Sequence, residues 1–192
     1  MPEKKQTKSR EETVKRLVGL FRQYGYEGAT LTRISEATDL GRASLYHHFP
    51  GGKEEMAQAV LEYMEQWMEA NIIEPLQQDS SPGDRLQTMS ATVNRLYSEG
   101  NTPCLLAVLT LGDSHTLFQQ QVKAALNGWL EALAQVLIDA EIEPSEARTR
   151  AQNAILQIQG ALILARGLGD TTPFQRTLEQ LPEMLLSHAK SV

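Results

Sequence analysis

Apolar residues recur with the period of an α-helix along nearly the whole chain. The first stripe has the spacing i, i+3, i+4, i+7 and consists of Val14, Leu17, Val18 and Phe21. It predicts an amphipathic helix over residues 9–24 that ends at Gly25. No segment combines sustained alternation of apolar and polar residues with turn signals, so no strand is predicted. The pattern as a whole predicts an all-α protein of about nine helices.

Two short helices follow, separated by a tight turn. Thr30 is placed to cap a second helix, whose inner residues are Leu31, Ile34 and Ala37. Gly41 is expected to break this helix, because glycine adopts a positive φ easily. A third helix over residues 42–48 buries Leu45 and Phe49 and ends at a Pro-Gly-Gly turn.

Longer helices fill the remainder of the chain. A fourth helix is predicted over residues 53–74, ending at Pro75, and a loop over residues 77–83. Prolines lie near most of the later helix starts, where the fixed φ of proline is tolerated. These later helices are predicted at 84–98, 103–111, 114–140, 144–167 and 172–190.

The second and third helices together have the size of a helix-turn-helix, over residues 30–49, whose second helix enters a DNA major groove. The third helix turns outward a set of small or hydrogen-bonding side chains without a carboxylate: Arg42, Ala43, Ser44, Tyr46 and His47. Ser44 and His47 suit base edges, and the Tyr46 hydroxyl suits a phosphate oxygen. Arg42 suits either a guanine edge or the backbone.

Further phosphate contacts are predicted beside this motif. Thr30 and Thr32 stand at the start of the second helix, whose unpaired N–H groups bind anions. Lys53 opens the fourth helix and is expected to clamp a second phosphate. Residues 1–54 carry ten Lys and Arg against seven Asp and Glu, a net charge of +3, whereas residues 55–192 carry a net charge of −9. We therefore predict a DNA-binding domain over residues 1–54 and a second helical domain over residues 55–192.

The first 60 residues resemble the DNA-binding domain of the TetR family of regulators. The likeness covers about residues 9–60 and is carried in order by Thr30, Ile34, Ala37, Leu40-Gly41, Leu45-Tyr46, His48-Phe49 and Lys53-Glu54-Glu55-Met56. One departure is the turn from Phe49 to Lys53, which is one residue longer than in many members. This version is similar to a subgroup that includes regulators of drug-efflux genes, which also tends to carry a cysteine and apolar segment like that at residues 103–106.

The resemblance implies a homodimer that binds a pseudo-palindromic operator in double-stranded DNA and is controlled by a small molecule. Repression is the commoner mode in the family, and the sequence leaves activation open. The family's last two long helices pack against their counterparts as a four-helix bundle. A seam that suits this interface consists of Ile155, Ile158, Leu162 and Ala165. The alternative is that this seam is buried inside its own monomer.

The central helices are expected to enclose the small-molecule effector. Few charged residues interrupt their inner faces, so an apolar or aromatic ligand is favoured. Each candidate for the pocket wall has plain core as its alternative, and Cys104 is a redox sensor only in an electropositive, partly exposed setting. The candidates are Tyr63, Trp67, Met68, Met89, Val93, Tyr97, Cys104, Phe118 and Trp129.

Other classes of protein find less support. His47 and His48 are adjacent and cannot share one metal ion, and His115 and His188 are isolated, so no metal or other cofactor is expected. The sequence contains no recognisable local pattern of a nucleophile with a base, or of paired carboxylates, that would indicate an enzyme. An architectural DNA-binding protein without a ligand would leave the second domain without a role. No apolar run is long enough for a membrane helix and the N-terminus does not have the pattern of a secretory signal, so a cytoplasmic location is expected.

Overall fold

The computed structural model of the chain describes residues 9–112 and 114–187. Within these ranges the regular elements are helices, which confirms the predicted all-α class. The last predicted helix extended to residue 190, and residues 188–190 lie outside the described residues. In chain order the α-helices are α1 (Arg10–Gly28), α2 (Leu31–Thr38), α3 (Arg42–His48), α4 (Gly52–Met68), α5 (Glu74–Leu76), α6 (Pro82–Leu96), α7 (Leu105–Leu109), α8 (Ser114–Asp139), α9 (Pro144–Leu168) and α10 (Thr172–Leu186).

The chain divides into two compact units. The first consists of Met1–Glu65 and Leu105–Val122, and the second of Gln66–Cys104 and Lys123–Val192. Helices α4 and α8 therefore contribute residues to both units. The first unit includes more of the chain than residues 1–54, and the division into functional domains at residue 54 stays a prediction.

Helix α1 begins at a reciprocal hydrogen-bonded cap. The Ser9 hydroxyl oxygen accepts the Glu12 N–H at 3.1 Å, and the Glu12 carboxylate accepts the Ser9 N–H at 3.0 Å. Gly25, with φ of +67°, interrupts the helix as predicted, but a further turn continues to Gly28. Helix α1 packs against α2 and α7. Its buried stripe is Thr13, Val14, Leu17, Leu20 and Phe21.

The turn between α2 and α3 differs from the prediction in its backbone. Thr30 caps α2 as predicted, because its hydroxyl oxygen accepts the Arg33 N–H at 3.3 Å. The residue in the left-handed region is Asp39, with φ of +55°, whereas Gly41 has φ of −70°. The expectation that Gly41 would take a positive φ is therefore wrong. Aspartate tolerates the left-handed region because its short polar side chain can bond locally.

Helix α4 is followed without a loop by a π-helical turn, Glu69–Ile73, and by α5. Pro75 lies two residues after the π-helical turn, and the helical segment continues to Leu76 rather than ending at the proline. The buried Arg85 on α6 donates from Nη1 to the Leu76 carbonyl at 3.1 Å and to Asp139 Oδ2 at 2.8 Å. These bonds join α5, α6 and the end of α8.

The core of the second unit is formed by aromatic and sulfur-containing side chains. The Trp129 indole N–H donates to Met89 Sδ at 3.4 Å, and the rings of Tyr97 and Phe174 meet edge to face with centroids 6.0 Å apart. Helix α10 packs against both α6 and α9.

The structure also buries the seam that we expected at a dimer interface. Ile155, Ile158, Leu162 and Ala165 on α9 are all buried within the single chain. These four side chains therefore face their own core, which is the alternative stated above, and the residues of a dimer interface stay a prediction. No helix in the described ranges is long and apolar enough to cross a membrane.

Candidate nucleic-acid interface

Helix α3 is anchored by two fully buried side chains and exposes the rest of its surface. Leu45 and Phe49 have no solvent-accessible surface, so the inner face is the one that the spacing predicted. The opposite face presents hydrogen-bonding groups and a cation to solvent, with no carboxylate among them. The exposed residues are Arg42, Ala43, Ser44, Tyr46 and His47.

The turn after α3 is fixed by side chains from α1 and α4. The Glu55 carboxylate on α4 accepts the Gly51 N–H at 2.7 Å, and Gly52 adopts φ of +68°, which favours glycine. The guanidinium of Arg10 lies 3.7 Å from Glu55 and 5.0 Å above the ring of Phe49. Because three elements meet at this turn, the C-terminal end of α3 is held in place.

Lys53 is engaged within the first unit. Its ammonium donates to the Tyr26 carbonyl at 3.0 Å and lies 4.2 Å from the centroid of the Tyr26 ring. Burial, followed by the charges of Glu54 and Glu27, raises the pKa of the Tyr26 phenol above its ordinary value. An ammonium has three N–H donors. The predicted phosphate contact of Lys53 would therefore use a donor that is not bonded to the Tyr26 carbonyl.

The start of α2 carries a cation that the sequence reasoning did not single out. Thr30 and Thr32 are exposed there, as a phosphate-binding helix end requires. Arg33 donates from Nη1 to the Gly28 carbonyl at 2.8 Å, and its guanidinium lies 4.3 Å from the centroid of the Tyr24 ring. A basic residue in the first turn of α2 was the available signal, but the pairing with Tyr24 depends on the fold.

The expected effector residues fall into both units. Tyr63 and Phe118 belong to the first unit, where the ring of Phe118 meets Tyr26 edge to face with centroids 5.2 Å apart. Trp67 is half-buried in the second unit, and the other members of the set are buried there: Met68, Met89, Val93, Tyr97, Cys104 and Trp129. The structure therefore does not gather all nine candidates within one unit.

Two clefts of the second unit are lined by other side chains. One, of about 380 Å³, lies between α6 and α10, and the other, of about 470 Å³, lies between α8 and α9. Cys104 is buried and not in a disulfide. Among the described residues no group of three His, Cys, Asp or Glu side chains is placed to hold a metal ion.

Helix α9 has a second apolar face that is open to solvent. Leu156, Ile163, Leu164 and Leu168 are 62%, 71%, 54% and 69% exposed, and they recur at helical spacing. Gly160 lies within the same stretch, and a Cβ added there would meet no atom within 4 Å. Exposed large apolar side chains grouped on one helix face in this way are uncommon on the surface of a monomeric protein.

Comparisons with known proteins agree with this geometry. Residues 16–60 match the family of bacterial regulatory proteins, tetR family, and residues 82–180 match the C-terminal domain of LmrA/YxaF-like transcriptional regulators. The HTH-type transcriptional regulator LmrA of Bacillus subtilis is 25% identical over 182 residues, which is 92% of this chain and 96% of that protein. The uncharacterized regulator YxaF of the same organism is 28% identical over 182 residues, 92% and 95% of the two chains.

A solved structure of a transcriptional regulator has a similar fold. A TetR transcriptional regulator from Legionella pneumophila superposes with a TM-score of 0.80 at 23% identity, covering 94% of this chain and 99% of that one. The helix-turn-helix with its exposed α3 defines a DNA-binding protein, and the matched regions place it among transcriptional regulators rather than enzymes. The chain belongs to the TetR family, with a C-terminal domain of the LmrA/YxaF-like type.

Proposed function

We propose that the chain is a ligand-responsive repressor that binds a pseudo-palindromic operator as a homodimer. The observation that carries this proposal is the exposed face of α3. Ser44 and His47 supply hydrogen bonds to base edges, and the Tyr46 hydroxyl donates to a phosphate oxygen. Arg42, at the start of the helix, adds a guanidinium that suits guanine. The buried pair Leu45 and Phe49 anchors the helix that carries these groups.

The flanking elements add contacts to the DNA backbone. The N-terminus of α2, with Thr30 and Thr32, presents unpaired N–H groups to one phosphate. Arg33, held on Tyr24, brings a cation to the same end of the helix. Lys53 contributes a further charge while it remains bonded to Tyr26. Such contacts set the orientation of α3 without reading sequence.

The homodimer is proposed to form through the outer face of α9. A two-fold interface needs a surface that is complementary to itself, and an apolar stripe of Leu156, Ile163, Leu164 and Leu168 meets that need. Gly160 has no side chain, so it would let two helices approach closely. Nothing within the monomer requires a glycine there, because an added Cβ would meet no atom within 4 Å. Two recognition helices must then lie about 34–36 Å apart to enter successive major grooves.

The effector is proposed to be an apolar or aromatic molecule that binds in the core of the second unit, near Trp67, Met89 and Tyr97. Helix α4 links this region to the DNA-binding unit, because it runs without interruption from Gly52 to Met68. A ligand that displaces the last turns of α4 also moves the end that carries Lys53. The ligand can shift operator binding only by its difference in affinity for the two conformations.

Fluorescence anisotropy with duplexes selected from a random pool tests the DNA function. The full chain is expected to bind a selected pseudo-palindrome, and insertion of about five base pairs between the half-sites should weaken binding at least about tenfold, because the half-sites then face opposite sides of the duplex. A duplex with one half-site is the control and should bind as weakly. Equal binding to all three duplexes would contradict the proposal.

The proposed effector site is tested with a panel of uncharged aromatic compounds. Each compound is screened by thermal stabilisation of the full chain. A compound that binds should weaken operator affinity by roughly 5–150-fold, the range of ordinary allosteric coupling. Operator DNA must then weaken binding of that compound by the same factor. Binding that is indifferent to the operator would show that the core site does not control DNA recognition.

A further inference from the structure

The positive charge of residues 1–54 is concentrated ahead of the first helix. Residues 1–8, the basic segment, carry three lysines against one glutamate, a net charge of +2. Residues 9–54, which include the helix-turn-helix, carry seven Lys and Arg against six Asp and Glu, a net charge of +1. Most of the net positive charge of this part of the chain therefore lies before α1. The three lysines are Lys4, Lys5 and Lys8.

Cations within the helices are largely engaged with groups of their own unit. Lys15 pairs with Glu11 at 2.6 Å, the guanidinium of Arg10 lies 3.7 Å from Glu55, and Lys53 donates to a backbone carbonyl. A cation beside a carboxylate attracts a phosphate more weakly, because the field of the carboxylate opposes its own. Affinity for the DNA backbone depends on the number of phosphates that Lys and Arg neutralise. The basic segment is therefore the main additional source of positive charge near the helix-turn-helix.

The basic segment joins the first unit beside the end of α3. Ser9 caps α1, and the guanidinium of the next residue, Arg10, lies 5.0 Å from the centroid of the Phe49 ring, directly after α3. A helix in the major groove, which is about 12 Å wide, has a sugar–phosphate backbone on each side, so groups beside its end face phosphates. Eight residues can span at most about 26–29 Å, which exceeds the width of the groove. The lysines are therefore within reach of the DNA backbone.

We propose that the basic segment binds the DNA backbone beside the groove that α3 occupies. Lys4, Lys5 and Lys8 contact phosphate oxygens as compact charges, so they add affinity without a preference for particular bases. The segment is an interaction surface in addition to α3, the start of α2 and Lys53. This inference rests on the proposed DNA function, because it extends the contacts that the same complex makes.

Fluorescence anisotropy of the full chain on the selected operator, at salt concentrations from about 50 to 200 mM, tests the proposal. The variant combines Lys4→Gln, Lys5→Gln and Lys8→Gln. Each phosphate contact contributes about 0.9 to the slope of log affinity against log salt, so the slope should become shallower by about 2–3. Affinity at the lowest salt should fall at least about tenfold. The ratio of operator to random-DNA affinity should stay within about twofold, because phosphate contacts do not read sequence.

The matched control combines Lys123→Gln, Arg148→Gln and Arg176→Gln, three exposed cations of the second unit. It changes the net charge equally, so it separates phosphate contacts from the general field of the protein, and its slope should change by less than about 0.5.

Replacing the three lysines of the basic segment by arginine keeps their charges and should restore both slope and affinity. Operator binding whose salt dependence is the same in the glutamine variant, or falls equally in the control, would overturn the inference and leave the DNA function standing. Failure of the unmodified chain to bind any selected duplex would overturn both.

Discussion

Side-chain burial in the helix-turn-helix follows from the spacing of two apolar residues. Leu45 and Phe49 are four positions apart, so a helix places them on one face, and the structure buries both. The backbone conformation of the turn between α2 and α3 could not be predicted from the spacing of residues. Glycine is the residue that tolerates a positive φ best, but the geometry between α2 and α3 assigns that conformation to Asp39 and leaves Gly41 as an ordinary cap.

The effect of a substitution at Asp39 should therefore depend on how well the new residue adopts the left-handed backbone conformation. Asp39→Val is expected to lower the free energy of unfolding by about 1–2 kcal/mol, because a branched side chain is strained in the left-handed region. Asp39→Gly should lower it by less than half as much, because glycine adopts this conformation without strain. Chemical denaturation measures both. Glu36→Val, on the exposed face of α2, is the control and should cost less than about 0.5 kcal/mol. A loss in the glycine variant as large as in the valine variant would refute the backbone explanation.

The exposed residues of α3 should differ in how they affect recognition. Arg42→Ala and His47→Ala are expected to change which bases are preferred and to cost about 1–3 kcal/mol on the selected operator. Tyr46→Phe should weaken binding to all duplexes alike, since it removes a phosphate contact. Anisotropy on operator and random DNA separates the two effects. Equal losses on both kinds of DNA for all three variants would refute the assignment of base-reading residues.

At the scale of elements, most helix starts were predictable because local signals mark them. Ser81 caps α6 ahead of Pro82, and Pro144 and Pro173 lie in the first turns of α9 and α10. Which face of α9 turns inward was not predictable. This helix carries apolar residues on its inner face and on its outer face, so periodicity alone could not choose between them.

Contacts between distant segments also leave no local pattern in the sequence. The Glu27 carboxylate accepts the Ser114 N–H at 3.1 Å and so caps α8 from the end of α1, 87 residues earlier. Gly112, with φ of +66°, lies against the same carboxylate, since a Cβ there would stand 3.2 Å from Glu27 Oε1. Both residues belong to the first unit, which is assembled from two separate stretches of chain.

This cap should make a measurable contribution to the free energy of unfolding. Glu27→Ala is expected to lower the free energy of unfolding by about 1 kcal/mol, the usual cost of a lost helix cap. Glu27→Gln keeps an acceptor oxygen in the same place and should lose less than half of that. Glu62→Ala, at an exposed position of α4, serves as the control in the same thermal or urea unfolding experiment. Equal losses for the alanine and glutamine variants would show that the hydrogen bond contributes nothing.

For the whole molecule, the class of fold and of function was readable because the most informative residues are contiguous. The positions that carry the family likeness fall within residues 30–56, and ten of the eighteen Lys and Arg lie in or before this stretch, within residues 1–54. The discontinuous first unit was not foreseen, since it depends on packing between distant stretches of the chain, such as that of α7 against α1. The proposed effector site has no such local signature, because the residues assigned to its walls come from several helices.

The dimer interface that we propose on the outer face of α9 can be tested with one pair of substitutions on the same helix. Ile163→Glu places a charge on the exposed face, so it should dissociate the proposed dimer, keep the helical signal and reduce operator binding. Ile158→Glu places the charge in the core, where an unpaired charge costs several kcal/mol, so it should unfold the second unit. Sedimentation measures the assembly, and circular dichroism measures the fold.

Leu111→Glu is the control for Ile163→Glu, because Leu111 is a comparably exposed apolar residue, 65% against 71%, in the first unit. It should leave sedimentation unchanged, which separates an effect of the α9 surface from a general effect of a surface charge. Two outcomes would count against the assignment. An intact dimer in Ile163→Glu would place the interface elsewhere, and a folded monomer in Ile158→Glu would return the inner seam to the interface.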